Sequence, residues 1–142
     1  MSDGRRPERD TALRSPRLPA GAAEFLAGPH IGTLTTVRSD GSPHIAPVRF
    51  TWDGQAGLVR VMTTGTRVKT RNIAARPDVR IAICQTVNYR WITLEGLATV
   101  SADRARVSEG VRRYIQRYLS APPNVPDMVV IELAVDRVMG IW

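Results

Sequence analysis

The sequence predicts a mainly β domain with short α-helices, folded as a small closed or partly split antiparallel barrel. Three observations carry that expectation. About six runs of strand length carry alternating or clustered apolar residues. Most links between them are short turns containing Gly, Asp or Asn, and only two or three short stretches keep a helical period. Hairpin-linked strands with few helices close into barrels rather than into parallel sheets.

At 142 residues the chain suffices for one domain. Its 43% hydrophobic and 23% charged residues place it among globular proteins. No apolar run reaches the roughly 18 residues of a membrane span, and the opening "MSDGRRPERDTALRSPRLP" lacks an apolar signal core. A cytoplasmic location with no membrane partner is expected. One cysteine, Cys84, excludes an internal disulfide, and with only His30 and His44 little is left for a metal site. Cys84, inside "VRIAICQ", is expected in the core.

Residues 1–18 combine Pro7, Pro16 and alternating charges with few apolar side chains, which predicts a disordered tail ahead of a single domain over 19–142. "PAGAAEFLAG" predicts a short helix from near Pro19, stopped by Gly28-Pro29. "HIGTLTTVR", the turn "SDGS" and "PHIAPVRFTW" then read as a hairpin, with Ala46, Val48, Phe50 and Trp52 on one face. "DGQAG" turns the chain into "LVRVMT", so these three strands are expected to form a meander. "RVKTRNIAAR" is helix-compatible up to Pro77. "DVRIAICQ" and "YRWITLEGLATV" are two further strands. In "DRARVSEGVRRYIQRYL", Val107, Val111, Tyr114, Ile115 and Tyr118 keep a helical period. After the loop "APPNVPD", "MVVIELAV" reads as a long strand and "RVMGIW" as a separate short one.

The net charge of +7 predicts an anionic partner, and its distribution indicates where. Arg67, Lys69, Arg71 and Arg76 follow one another with no acid between Asp53 and Asp78, and Lys69 is the only lysine. With Thr66 as the helix N-cap, the first turn would offer free N–H groups and about half a positive charge. Thr64, Thr66 and Thr70 would add hydroxyls, making a phosphate site at a helix start. Arg67 and Arg71 are spaced to share one face. The competing reading is a solvated basic helix.

Other candidates carry weaker signals. Pro47 interrupts a strand-like run, marking either an edge strand or a close ligand approach. His44 either orients a ring or is structural. Tyr89 and Trp91 share a side of their strand as core, interface or stacking residues. Arg113 and Arg117 form a ridge beside Tyr114 and Tyr118, suited to a carboxylated aromatic ligand or to solvent. No carboxylate pair, Ser-His-Asp set or Gly-rich dinucleotide turn is present, so chemistry here would belong to a cofactor.

The succession "GTLTTVRSDGSPHIAPVRF", "VMTTGTRVKTRNIAARPDVRIAI", "RWITLEGLATV" and "VVIELAVDRVMG" resembles the flavin/deazaflavin oxidoreductases with a pyridoxamine 5'-phosphate oxidase-like split barrel. The likeness runs from about Ala20 to Gly140 and is strongest to the group that binds coenzyme F420. "RWITLEG", "RYIQRY" and the Pro-rich loop look nearest to mycobacterial F420-dependent biliverdin reductases. The resemblance implies an FMN-binding-type split β-barrel, homodimeric, with cofactor sites at the dimer interface. It implies that Met62, Thr63, Thr64, Arg67, Lys69, Thr70, Arg71 and Asn72 hold the cofactor's phosphate region. It places the deazaflavin ring beside His44, Pro47 and Val48, with Trp91 closing the site from the partner, and it makes Arg113, Arg117 and Tyr118 candidates for substrate binding. The expected reaction is hydride transfer from reduced F420 to a conjugated, biliverdin-like small molecule. The alternatives are an FMN-dependent oxidase or reductase of the same fold and a non-catalytic tetrapyrrole- or cofactor-binding protein. Nucleic acid is not expected, because the sheet lacks paired exposed aromatics.

Overall fold

The computed structural model describes residues 6–13 and 17–142. In order, these form β1 (Arg9–Ala12), α1 (Ala22–Leu26), β2 (Gly32–Val37), β3 (Pro43–Val48), β4 (Thr51–Asp53) and β5 (Leu58–Thr64). Then come α2 (Val68–Ala75), β6 (Ile81–Val87), β7 (Arg90–Ser101), α3 (Arg104–Tyr118) and β8 (Met128–Ile141). One antiparallel sheet runs β3-β2-β6-β7-β8-β5-β4, with β1 added beside β8.

The two outermost strands of that order, β3 and β4, are neighbours in sequence, separated only by Arg49 and Phe50. Val48 and Thr51 therefore stand at most about 10 Å apart. The sheet has to curl until its edges meet, and a seam remains because β3 and β4 do not pair. This is the predicted split barrel. The predicted meander of three strands is corrected: β2–β3 and β4–β5 are separate hairpins at opposite ends of the sheet. The cause lies at residues 49–51, where the inward alternation of Ala46 and Val48 slips, so that Phe50, Thr51 and Asp53 are all buried.

Local chemistry explains most elements. Asp40-Gly41 closes the β2–β3 hairpin, with Gly41 at φ 87° and the Asp40 carboxylate accepting from the Ser42 N–H at 2.9 Å. Asn88 takes the left-handed conformation between β6 and β7. Asp103 caps α3 by accepting from the Arg106 N–H at 3.1 Å. Leu34, Phe50, Ile83, Leu94, Ile131 and Leu133 fill the barrel, each about 1% exposed. Cys84 is only half-buried, since it faces away from that interior.

Three further expectations change. "MVVIELAV" and "RVMGIW" are one continuous strand, bent at a bulge where Glu95 opposes Arg137 but Gly96 opposes Val135. Asp136 is the extra residue, and its freed carbonyl accepts from the Leu13 N–H. Arg9–Ala12, inside the expected tail, pair instead with Arg137–Gly140 beyond that bulge, and Arg137 reaches Asp10 at 2.7 Å. Residues 1–5 and 14–16 of the expected tail lie outside the described residues. The helix expected from Pro19 spans only Ala22–Leu26.

Candidate functional site

Lys69 stands where β5 ends, a short turn follows, and α2 begins. The N-cap of α2 is Arg67, not Thr66, because Arg67 has extended backbone (φ −68°, ψ 148°) and Val68 begins the helix. The Thr66 hydroxyl instead meets that of Thr64 at 3.1 Å. Thr70 is buried and donates its hydroxyl to the Thr64 carbonyl at 2.8 Å, which folds the loop back on β5. Asn72 donates to the Thr36 hydroxyl at 3.0 Å and ties α2 to β2. Thr70 and Asn72 thus fix the loop from within.

Met62, Thr63, Thr64, Arg67 and Lys69 line one cavity of about 290 Å³, closed on its far side by Pro122, Pro123, Val125 and Met128. A second cavity of about 220 Å³ continues it toward the seam. Pro47, Val48, Arg49, Val61 and Tyr114 line that one, and Met62, Lys69, Pro122 and Pro123 belong to both. The result is a groove with Arg67 at the α2 end, Arg49 among Pro47, Val48, Val61 and Tyr114 at the seam end, and Lys69 reaching both. Among the described residues no carboxylate lines it. Burial, and then the charge of Arg67, push the Lys69 ammonium below its ordinary pKa. An anion placed there would reverse both effects.

Gly110 of α3 packs against Met62, which lines this groove. A Cβ there would stand 2.4 Å from the Met62 sulfur, so any larger residue makes that flexible side chain shift.

Other predicted residues fall elsewhere. Arg71 is exposed beyond the cavities, so it does not share a pocket with Arg67. His44, with an unpartnered buried Nδ1, and Trp91 line neither cavity. The helix α3 residues are held by the chain itself. Arg113 meets Asp53 at 3.1 Å and Glu109 at 2.7 Å. Arg117 donates to the carbonyls of Leu26 and His30 and to the Gln85 side chain. The Tyr118 hydroxyl accepts from the Phe50 N–H at 2.9 Å and its one proton lies between the carbonyls of Phe50 at 2.9 Å and His30 at 3.1 Å, pinning the seam. Ile115 is 43% exposed, so the buried stripe of α3 runs through Gly110 and Tyr114. Arg49, Tyr114 and the prolines of "APPNVPD" were not anticipated in the groove. Proline spacing was the one available signal, since two adjacent prolines after a helix make a stiff wall.

The family model for pyridoxamine 5'-phosphate oxidase matches residues 18–141. The chain belongs to that family. It is 42% identical over 124 residues, 87% of this chain and 88% of the relative, to an F420H(2)-dependent biliverdin reductase of Mycobacterium tuberculosis (strain CDC 1551 / Oshkosh). Among solved structures, an F420 reductase superposes with a TM-score of 0.69 at 29% identity, covering 85% of this chain and 98% of the other. A conserved hypothetical protein of Mycobacterium tuberculosis superposes at 0.73 with 19% identity, covering 92% and 89%, and speaks for the fold alone. This family member carries no helix, among the described residues, long and apolar enough to cross a membrane.

Proposed function

We propose that this chain is an F420-dependent reductase that passes a hydride to a conjugated small molecule. The acid-free groove carries the reading: Arg67 and Lys69 toward α2, Arg49 among Pro47, Val48 and Tyr114 at the seam, and no carboxylate lining it among the described residues. F420 suits this donor set, with a phosphodiester and glutamyl tail for Arg67 and Lys69 and a flat deazaflavin for Pro47 and Val48. When bound, the cofactor supplies the hydride.

The protein's own contributions are positional. Arg67 and Lys69 neutralise and anchor the anionic tail. The Thr63 and Thr64 hydroxyls stand beside them as further donors. Pro47 removes one N–H from strand β3, leaving a flat backbone surface for the ring. Pro122 and Pro123 wall the groove against water, which strengthens the charge contacts inside it. No acid/base residue is assigned, and the substrate's proton is taken from solvent.

The reading includes a cytoplasmic homodimer in which a second copy closes the ring end, with Trp91 as the contributed residue. Exposed apolar side chains near that end of the sheet, Ile31 at 57% and Ile45 at 61%, support it. A relative named for biliverdin reduction favours a linear tetrapyrrole as substrate. Fluorescence titration of the purified protein with F420 is the test, with FMN in parallel. Tight F420 binding and turnover of biliverdin by the reduced cofactor are expected. FMN binding without F420 binding would reverse the assignment.

A further inference from the structure

We propose that Arg49 is the substrate-selecting residue of the groove, and that it selects for a carboxylate on the substrate. This rests on the reading of the groove as a reductase site, because it concerns what lies beside the ring.

Arg49 occupies the seam, one residue after β3 ends, and lines the apolar cavity with Pro47, Val48 and Tyr114. Its guanidinium lies 4.9 Å from the Tyr118 ring centroid and 5.8 Å from that of Tyr114. One nitrogen donates to the Tyr114 hydroxyl at 3.0 Å. The two rings and this bond set the plane of the fork before any ligand arrives. A guanidinium has five N–H donors, and the Tyr114 bond uses one.

The remaining donors have no internal claimant. No carboxylate among the described residues lies within ion-pair distance of Arg49. Asp53 is already engaged by Arg60 and Arg113, and Glu109 by Arg112 and Arg113. Arg117 also stacks on Tyr118, at 5.4 Å, but its N–H groups go to three acceptors of the chain. Arg49 is the groove arginine left with a flat, oriented and open fork.

A planar fork oriented by two aromatic rings matches a carboxylate, which it can bind through two parallel N–H bonds. Arg49 lines the seam cavity, which Lys69 reaches and Arg67 does not, so a tail anchored at Arg67 leaves its fork open. A substrate stacked on the free face of a ring held over Pro47 and Val48 would place an acid side arm against Arg49 and Tyr114. The favoured class is therefore a conjugated, mainly apolar carboxylic acid. Neutral analogues are turned over poorly because they forgo the charge-assisted contact to this exposed fork.

Biliverdin and its dimethyl ester, with saturating reduced F420, test this on wild type, Arg49→Gln and Arg49→Lys. Arg49→Gln should raise KM for the acid about tenfold with kcat little changed, the loss expected for one exposed charge-assisted contact. Esterification should raise the wild-type KM by a similar factor and leave Arg49→Gln unaffected. Arg49→Lys should recover part of the preference. F420 affinity, titrated separately, should be equal in all three proteins. An acid-over-ester preference that survives in Arg49→Gln overturns the inference, as does a fall in F420 affinity that accounts for the KM change. Failure of wild type to bind F420 overturns the cofactor reading instead. Absorbance titration of the cofactor-free protein with acid and ester then decides Arg49 by itself.

Discussion

Two arginine-rich regions share helix α3 and obey opposite rules. On one side Arg60, 8% exposed, donates to Asp53 at 2.8 Å and to Glu132 at 3.4 Å, with Arg106 closing on Glu132 at 2.6 Å and Arg113 on Asp53 at 3.1 Å. Every buried charge there has a partner. Burial would raise the Asp53 carboxyl, but the Arg60 hydrogen bond and the cations around it hold it below its usual value. On the other side Arg49, Arg67 and Lys69 line a groove with no acid among the described residues. The lesson is that cation density alone does not mark a ligand site here. On the proposed reading missing counter-charge does, and it separates the residues that hold the barrel from those left open to a ligand.

The largest effect should come from breaking the paired side. Arg60→Met leaves two buried carboxylates short of a cation and should cost about 3–5 kcal/mol of stability. Urea denaturation measures this; a loss below 1 kcal/mol would mean that the network is not buried in solution. Next is the unpaired side. Lys69→Ala should leave the denaturation midpoint unchanged or higher, because it removes a desolvated charge, while F420 affinity falls about 10- to 100-fold. An unaltered affinity would remove Lys69 from the anion site.

The same residue gives a pH signature. Its pKa is depressed in the free protein, so anion binding favours the protonated form, and affinity should decline as pH rises through that depressed value. Lys69→Arg stays charged and should flatten the profile. Gly110→Ala sharpens the contrast differently. The helix gains up to about 1 kcal/mol in propensity, while the added methyl drives Met62 into the groove. Stability should hold while F420 affinity drops several-fold.

The smallest effect belongs to Glu109. Hydrogen bonds from Arg112 and Arg113 lower its pKa from 4.5 to about 2. A depressed carboxyl contributes stability that is full above 4.5 and lost as pH falls toward 2. The pair is solvent-exposed, so Glu109→Gln should soften the acid limb of a Tm-versus-pH curve only slightly.

Much of the fold was readable because its signals are local. Asp40-Gly41 announces its hairpin, and the alternation of β2 and β6 announces strands. The cationic loop was readable for the same reason, since Arg67 and Lys69 sit two residues apart. What could not be read is long-range pairing. Nothing in "RRYIQRY" says that Arg113 will be spent on Asp53 or Arg117 on the Leu26 carbonyl, because those partners are set by how α3 lies on the barrel. Arg49 was missed for the mirror-image reason. Its isolation from acids emerges only when β3 and β4 meet at the seam. The single final strand was divided at Asp136 because a bulge looks like a break when only one strand is visible.

β8 is bordered by β7 along one side and by β5 and then β1 along the other. The four residues Arg9–Ala12 therefore act as a stopper on the stretch of β8 that β5 cannot reach. An uncovered ladder of that kind recruits strands from other molecules. Chains shortened through residue 13 should thus turn sticky at high concentration with the groove intact, a loss of colloidal behaviour rather than of chemistry.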